Sequence, residues 1–128
     1  MEKESEIVLK IADIFFSYVS NAESKWEEAY LRFHGGIDST GVTSTYQRDG
    51  AAYYIDADDE YEFEAMSEVS DLFVSLQDCF SFKVSLLVIR PNQEFKIRYE
   101  QELTERWAIS KLDGASGIPV LYESEQWW

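Results

Sequence analysis

The sequence is poor in the side chains that do most enzymatic chemistry. Its 128 residues hold one cysteine, Cys79, and one histidine, His34. A lone cysteine excludes an internal disulfide and makes a reducing compartment, the cytoplasm, the simplest location. No apolar run approaches the ~18 residues needed to cross a bilayer, and residues 1–6 are acidic rather than basic, unlike a signal peptide. There is no G-x-S-x-G, no glycine-rich phosphate loop and no His/Cys metal spacing. Nothing asks Cys79 and His34 to meet as a nucleophile and base. Cys79 reads as a small structural thiol on a helix and His34 as a residue at a loop edge. No catalytic residue, metal site or cofactor is therefore expected.

The most telling absence is local. Residues 49–82 contain no Lys or Arg, yet hold ten acids: Asp49, Asp56, Asp58, Asp59, Glu60, Glu62, Glu64, Glu68, Asp71 and Asp78. That segment carries most of the chain's net charge of −14, and the rest is nearly balanced. Nucleic acid and anionic membrane would be repelled and are excluded as partners. With 45% hydrophobic and 16% aromatic residues, the chain is not a disordered acidic tail. Its length fits one domain, residues 1–128, able to bury a real core without staples.

Ile7, Ile11, Ile14, Phe15 and Tyr18 recur at helical spacing and predict an amphipathic helix, with Ser5 as its N-cap and an end near Ser20 and Asn21. Over 26–34, Ala29, Leu31 and Phe33 alternate with Tyr30, Arg32 and His34, a strand with one buried face that Gly35-Gly36 ends. Two more strands follow at 42–47 and 51–55, joined by Asp49-Gly50, the strongest hairpin signal in the chain. Met66, Val69, Phe73, Leu76 and Phe80 then mark a second helix, with Glu64, Glu68, Asp71 and Asp78 on its opposite side. The near-continuous apolar run 84–89 reads as the central strand. Phe95, Ile97 and Tyr99 alternate with Lys96 and Arg98 in a fifth strand. Residues 103–112 predict a third helix burying Leu103 and Trp107. The order α-β-β-β-α-β-β-α implies an α+β fold: an antiparallel sheet of about five strands with helices on one face.

The acids allow several readings. Asp56, Asp58 and Glu60 open like a calcium loop, but Tyr61 stands where glycine is required and Ser67 where a bidentate glutamate is needed. Carboxylate pairs for hydrolysis are abundant on any acidic face and would also want a deep cleft. A solvated face could mix charge signs; this one does not, although like-charge neighbours such as Glu64 and Glu68 cost a few tenths of a kcal/mol. Tyr53, Tyr54 and Tyr61 lie among the acids, and tyrosine is a favoured interface anchor. The mixture points to a binding patch for a positively charged partner.

In order along the chain come Ile-Ala-Asp-Ile at 11–14, Trp26-Glu27-x-Ala29-Tyr30-Leu31, the Val42 strand, and an acidic segment leading into Asp71-Leu72-Phe73-x-x-Leu76. Phe95-Lys96-Ile97-x-Tyr99 follows, with Glu105-Arg106 and Trp107 downstream. Over residues 7–112 this arrangement resembles the YezG-like immunity proteins, bacterial antitoxins that neutralise secreted nuclease toxins. The family's acidic-aromatic repeat after the last strand is reduced here to Tyr99-Glu100-Gln101-Glu102, and the tail to Trp128 has no counterpart. The resemblance implies a non-enzymatic protein that binds a cognate toxin with a basic face. The expected contact residues are Asp56, Asp58, Asp59, Glu60, Glu62, Glu64, Glu68 and Asp71, with Tyr54 and Tyr61 as anchors. The alternatives are an acidic adaptor for a basic endogenous protein and a small hydrolase. Monomer and small homo-oligomer both remain open.

Overall fold

The computed structural model describes residues 2–36, 40–79 and 81–128. Helix α1 (Glu2–Ala22) is followed by strands β1 (Glu28–Gly35), β2 (Thr40–Arg48) and β3 (Ala51–Tyr54), helix α2 (Asp59–Gln77), and strands β4 (Val84–Ile89) and β5 (Phe95–Glu100). All five strands pair antiparallel in the order β3-β2-β1-β4-β5. This is the α+β fold expected, with the two α-helices on one face. The tight β2–β3 turn has Asp49 at φ 52° and Gly50 at φ 82°, the left-handed pair that a two-residue hairpin requires.

Several details differ from the sequence reading. Ser5 is not an N-cap: α1 starts at Glu2 and takes Ser5 in as its fourth residue, because Glu2, Lys3 and Glu4 are themselves good helix formers. The middle strand is β1, and β4 is its neighbour. Cys79 lies just past the end of α2 rather than on it, and Phe80 lies outside the described residues.

The larger correction concerns the sheet's second face. Ala29, Leu31, Phe33, Leu87 and Ile89 pack under the helices with Ile11, Phe15, Val69, Phe73 and Leu76. The Phe33 and Phe73 rings stack with centroids 4.8 Å apart, which locks α2 onto β1. Tyr30, expected on the open side, is also fully buried. Together with Val84, Leu86 and Val88 it packs against Trp107, Tyr122 and Trp127 from the C-terminal segment. Every residue of β4 is buried, which requires two covers. The second cover is residues 101–128, a strap holding only two single-turn 3-10 helices, Leu112–Gly114 and Tyr122–Ser124.

The predicted third helix is absent. Leu103 is 55% exposed and Trp107 is buried with φ 60°, a left-handed backbone that no α-helix continues through. Side-chain bonds set this path. Glu100 accepts the backbone N–H of Glu102 and Leu103 at 3.0 and 3.1 Å and the Arg106 guanidinium. Arg32, reaching through from β1, donates to the carbonyls of Thr104 and Arg106 at 2.7 and 3.1 Å. Glu125 is the hub: it accepts the indole N–H of Trp107 at 2.7 Å and of Trp127 at 3.1 Å, and pairs with Arg106. Glu28 accepts the hydroxyls of Tyr30 and Tyr122 at 2.8 and 2.9 Å and the Arg90 guanidinium at 3.1 Å. Arg90 stacks 3.8 Å over Trp128, and Arg98 4.5 Å over Trp127. At the far edge the Thr45 hydroxyl donates to the Gly117 carbonyl at 2.8 Å.

These contacts give the strap a pH dependence with a defined sign. The backbone N–H of Glu102, the Arg106 guanidinium and the N–H of Leu103 hold the Glu100 carboxyl down at about 2, from an ordinary 4.5. Burial pushes the Glu125 carboxyl up, but Trp107, Arg106 and Trp127 outweigh it and leave it lowered. A lowered carboxylate stabilises the fold fully above its unfolded value and loses that effect as pH falls toward its folded value. Acidification from pH 4.5 toward 2 is expected to release the strap, read as loss of near-ultraviolet dichroism and a tryptophan emission shift. Glu125→Ala leaves the Trp107 and Trp127 indole N–H groups without an acceptor and Arg106 with Glu100 alone, and should cost about 3 kcal/mol in chemical denaturation; a cost under about 0.5 kcal/mol would remove Glu125 from its role as hub.

Candidate partner-binding face

Helix α2 places the acidic run. No Pro or Gly interrupts it, and Asp59, Glu60 and Glu62 in its first turn favour the positive end of the helix dipole. Asp58 stands at the N-cap, and its carbonyl accepts the Glu62 N–H at 2.8 Å. Of the calcium-like opening, Glu60 is drawn into the helix while Asp56 and Asp58 precede it. Among the described residues no group of three or more His, Cys, Asp or Glu is placed to hold a metal ion.

Burial of Val69, Phe73 and Leu76 fixes the rotation of α2. Glu60, Glu64, Glu68 and Asp71 then form one exposed stripe, with Asp56, Asp58 and Asp59 exposed at its N-terminal end. Tyr61 and Glu62 are exposed beside the stripe and also contact α1, while Tyr54 lies apart from it. Tyr61 stacks on Tyr18 of α1 with centroids 5.7 Å apart, and its hydroxyl accepts from Asn21 at 3.1 Å. Glu62 accepts the Tyr18 hydroxyl at 3.1 Å. Burial, reinforced by the Glu62 charge, pushes the Tyr18 phenol well above its usual value, so it stays a donor. Tyr61 and Glu62 thus tie the two helices together. Tyr54 is 51% exposed, but it lies opposite Thr45, whose hydroxyl bonds the strap. Cross-strand partners share a face, so Tyr54 belongs to the strap side, across the sheet from the stripe.

Two residues escaped the sequence reading. Phe63 is 73% exposed in the middle of the acids. Periodicity sets it beside Met66, three residues on, and only the packing shows that it is left out of the core. Asp13 of α1 joins Glu64 and Glu68 on the rim of a groove of about 420 Å³, floored by Ile14, Ala65 and Tyr61. Its signal was the exposed face of α1, which the apolar stripe of that helix defines. A smaller hollow of about 220 Å³ lies by Asp56, Asp58, Tyr18 and Asn21. No histidine or cysteine lines either one.

The electrostatics of this face are unrelieved. Ion pairs join Arg48 to Asp49, Arg90 to Glu28, and Arg106 to Glu100 and Glu125. Among the described residues none reaches an acid between 56 and 71. Glu64 and Glu68, and Glu68 and Asp71, stand one turn apart with like charge, which costs a few tenths of a kcal/mol per pair. Glu68→Gln should therefore raise the thermal midpoint by about 1 °C at low salt, and the gain should vanish at about 1 M salt, where screening is short-ranged. A midpoint that falls instead would mean that Glu68 has a stabilising partner.

Compared with models of known protein families the sequence matches none, and no curated protein matches it, so the reading of this face rests on its own residues.

Proposed function

We propose that this protein is an immunity protein: it binds a cognate bacterial toxin, with a nuclease as the toxin class, and neutralises it without chemistry of its own. The observation that carries the reading is the exposed α2 stripe of Glu60, Glu64, Glu68 and Asp71, continued by Asp56, Asp58 and Asp59, with no cation paired to it among the described residues. A nuclease needs a basic groove for the phosphate backbone. Carboxylates at one side of a helix can occupy that groove and keep substrate out. Their field also speeds capture, by tenfold or more at low salt, which matters where the toxin is made and the producing cell is the first at risk. The site of action is the cytoplasm, where Cys79 stays reduced; no described helix is long and apolar enough to cross a membrane.

Phe63 joins Tyr61 as an aromatic anchor: Phe63 is the more exposed of the two, and Tyr61 is held in place by Tyr18 and Asn21. A specific interface buries about 1,600 Å² in total, so the stripe is its charged centre rather than its whole extent. The same stripe would serve an adaptor for a basic endogenous protein; the identity of the partner separates the two, and capture of the product of the adjacent gene is the deciding observation for the toxin.

The test is charge reversal. Glu64→Lys, Glu68→Lys and Asp71→Lys together should slow association with the cognate toxin at least tenfold at low salt, with the difference shrinking as salt rises. Equal association rates for the two proteins would end the steering role.

A further inference from the structure

The sheet has two edges, and they are protected unequally. On one side β5 carries Lys96, Arg98 and Glu100, charges of the kind that discourage strand pairing. On the other, β3 is only four residues long, and Lys111 donates to the Ala52 carbonyl at 2.6 Å. Because β3 is short, it covers only residues 45–48 of β2. Residues 40–44, Thr-Gly-Val-Thr-Ser, pair with β1 on one side. On the other side they have no strand and no backbone partner among the described residues. After Tyr54 the chain leaves the sheet for the end of α1, where Asp56, Ala57 and Asp58 lie beside Tyr18, Asn21 and Ala22. The segment 40–44 has no charge, no proline and one β-branched apolar residue, Val42, so it lacks the usual guards of a free edge.

The surroundings indicate what could fill it. Helix α2 lies over β1 and β2, and α1 over β4, so the flank of α2 turned away from α1 overhangs this edge. On that flank Val74 is 42% exposed. Asp71 and Asp78, one turn to either side of Val74, are exposed. We infer that residues 40–44 are a docking edge that accepts one extended, basic segment of the partner protein as a sixth strand. Main-chain hydrogen bonds from the outward N–H and C=O groups of residues 40–44 hold the segment. Lys or Arg side chains on its helix side lay their methylene stems across Val74 and reach Asp71 and Asp78 with their charged ends. A second copy of this chain is disfavoured as the occupant, since each copy carries −14. The positive charge assigned to the occupant rests on the functional reading above; the open edge does not.

The probe is a nine-residue peptide alternating lysine and valine, followed by amide hydrogen exchange of the full chain. Binding should slow exchange at alternate residues of 40–44 at least tenfold. N-methylation of the peptide residues that face β2 should abolish binding, whereas methylation of the intervening residues should not. A glutamate–valine peptide should fail to bind. Protection confined to α2, or binding indifferent to N-methylation at both sets of positions, would overturn the inference. With the cognate partner the two proposals fail separately. If charge reversal on α2 slows association while exchange at 40–44 is unchanged in the complex, the docking edge is wrong and the acidic-face reading stands. If exchange at 40–44 is slowed and charge reversal has no effect, the reverse holds.

Discussion

Burial of β1 and β4 on both faces is the constraint from which the rest of this architecture follows. A strand such as β4, apolar at nearly every position, cannot lie at a solvent-facing surface. One cover is conventional: two helices whose apolar stripes meet Leu31, Phe33, Leu87 and Ile89. The other is a strap with almost no regular structure, so its polar groups cannot satisfy one another through a ladder. Side chains do that work. Glu28, Glu100 and Glu125 each gather two or three donors, and the aromatic rings of Tyr30, Trp107, Tyr122 and Trp127 fill the space between. Arg32, Arg90, Lys96 and Arg98 all reach strap residues. These four cations are thereby committed to the strap side of the sheet, and among the described residues no ion pair reaches the acids of α2 on the other.

This sorting gives the acidic stripe its meaning. A chain with eleven bases and twenty-five acids could have distributed its pairs evenly. Here the strap carboxylates are the ones that are paired and held below their ordinary range. The carboxylates of α2 stand beside one another at helical spacing, where each like-charge neighbour costs stability. The strap carboxylates are paired within the molecule, and among the described residues the α2 carboxylates have no cationic partner, which is the contrast that the proposed partner would use. Phe63 sharpens that contrast, because an aromatic ring exposed among charges gains from a partner that removes it from water.

Much of the fold could be read from the sequence because it rests on local periodicity. Alternation in β1 and β5, the helical spacing of Ile11, Phe15 and Tyr18, and the Asp49-Gly50 turn all report structure within a few residues. The strap could not be read in this way. Its path depends on partners far off in sequence, such as Tyr122 on Glu28, 94 residues apart, and on a left-handed Trp107 that no propensity scale favours. One hint was present: the nearly continuous apolar run of β4 demanded a second cover, and four tail aromatics, Trp107, Tyr122, Trp127 and Trp128, were available to supply it. Within the site, the acidic helix face was legible as a pattern. The contacts of Tyr61 and Glu62 with Tyr18 were not, because they depend on where α1 lies, which no local pattern reports.

The open edge of β2 and the charge of the molecule belong to the same argument. An unguarded strand edge is an invitation to self-association, and proteins usually answer it with a lysine, a proline or a bulge on the edge itself. None stands at 40–44. The protection is supplied at longer range. A second copy approaching this edge must bring its own α2 alongside, with Asp71 and Asp78 facing their counterparts, and its own −14 toward the first. Repulsion of that kind discriminates by sign: it turns away copies of the chain and draws in a basic segment. A local guard such as an edge lysine would have blocked both, so leaving the edge bare while charging the helix beside it keeps the edge open to one class of partner only.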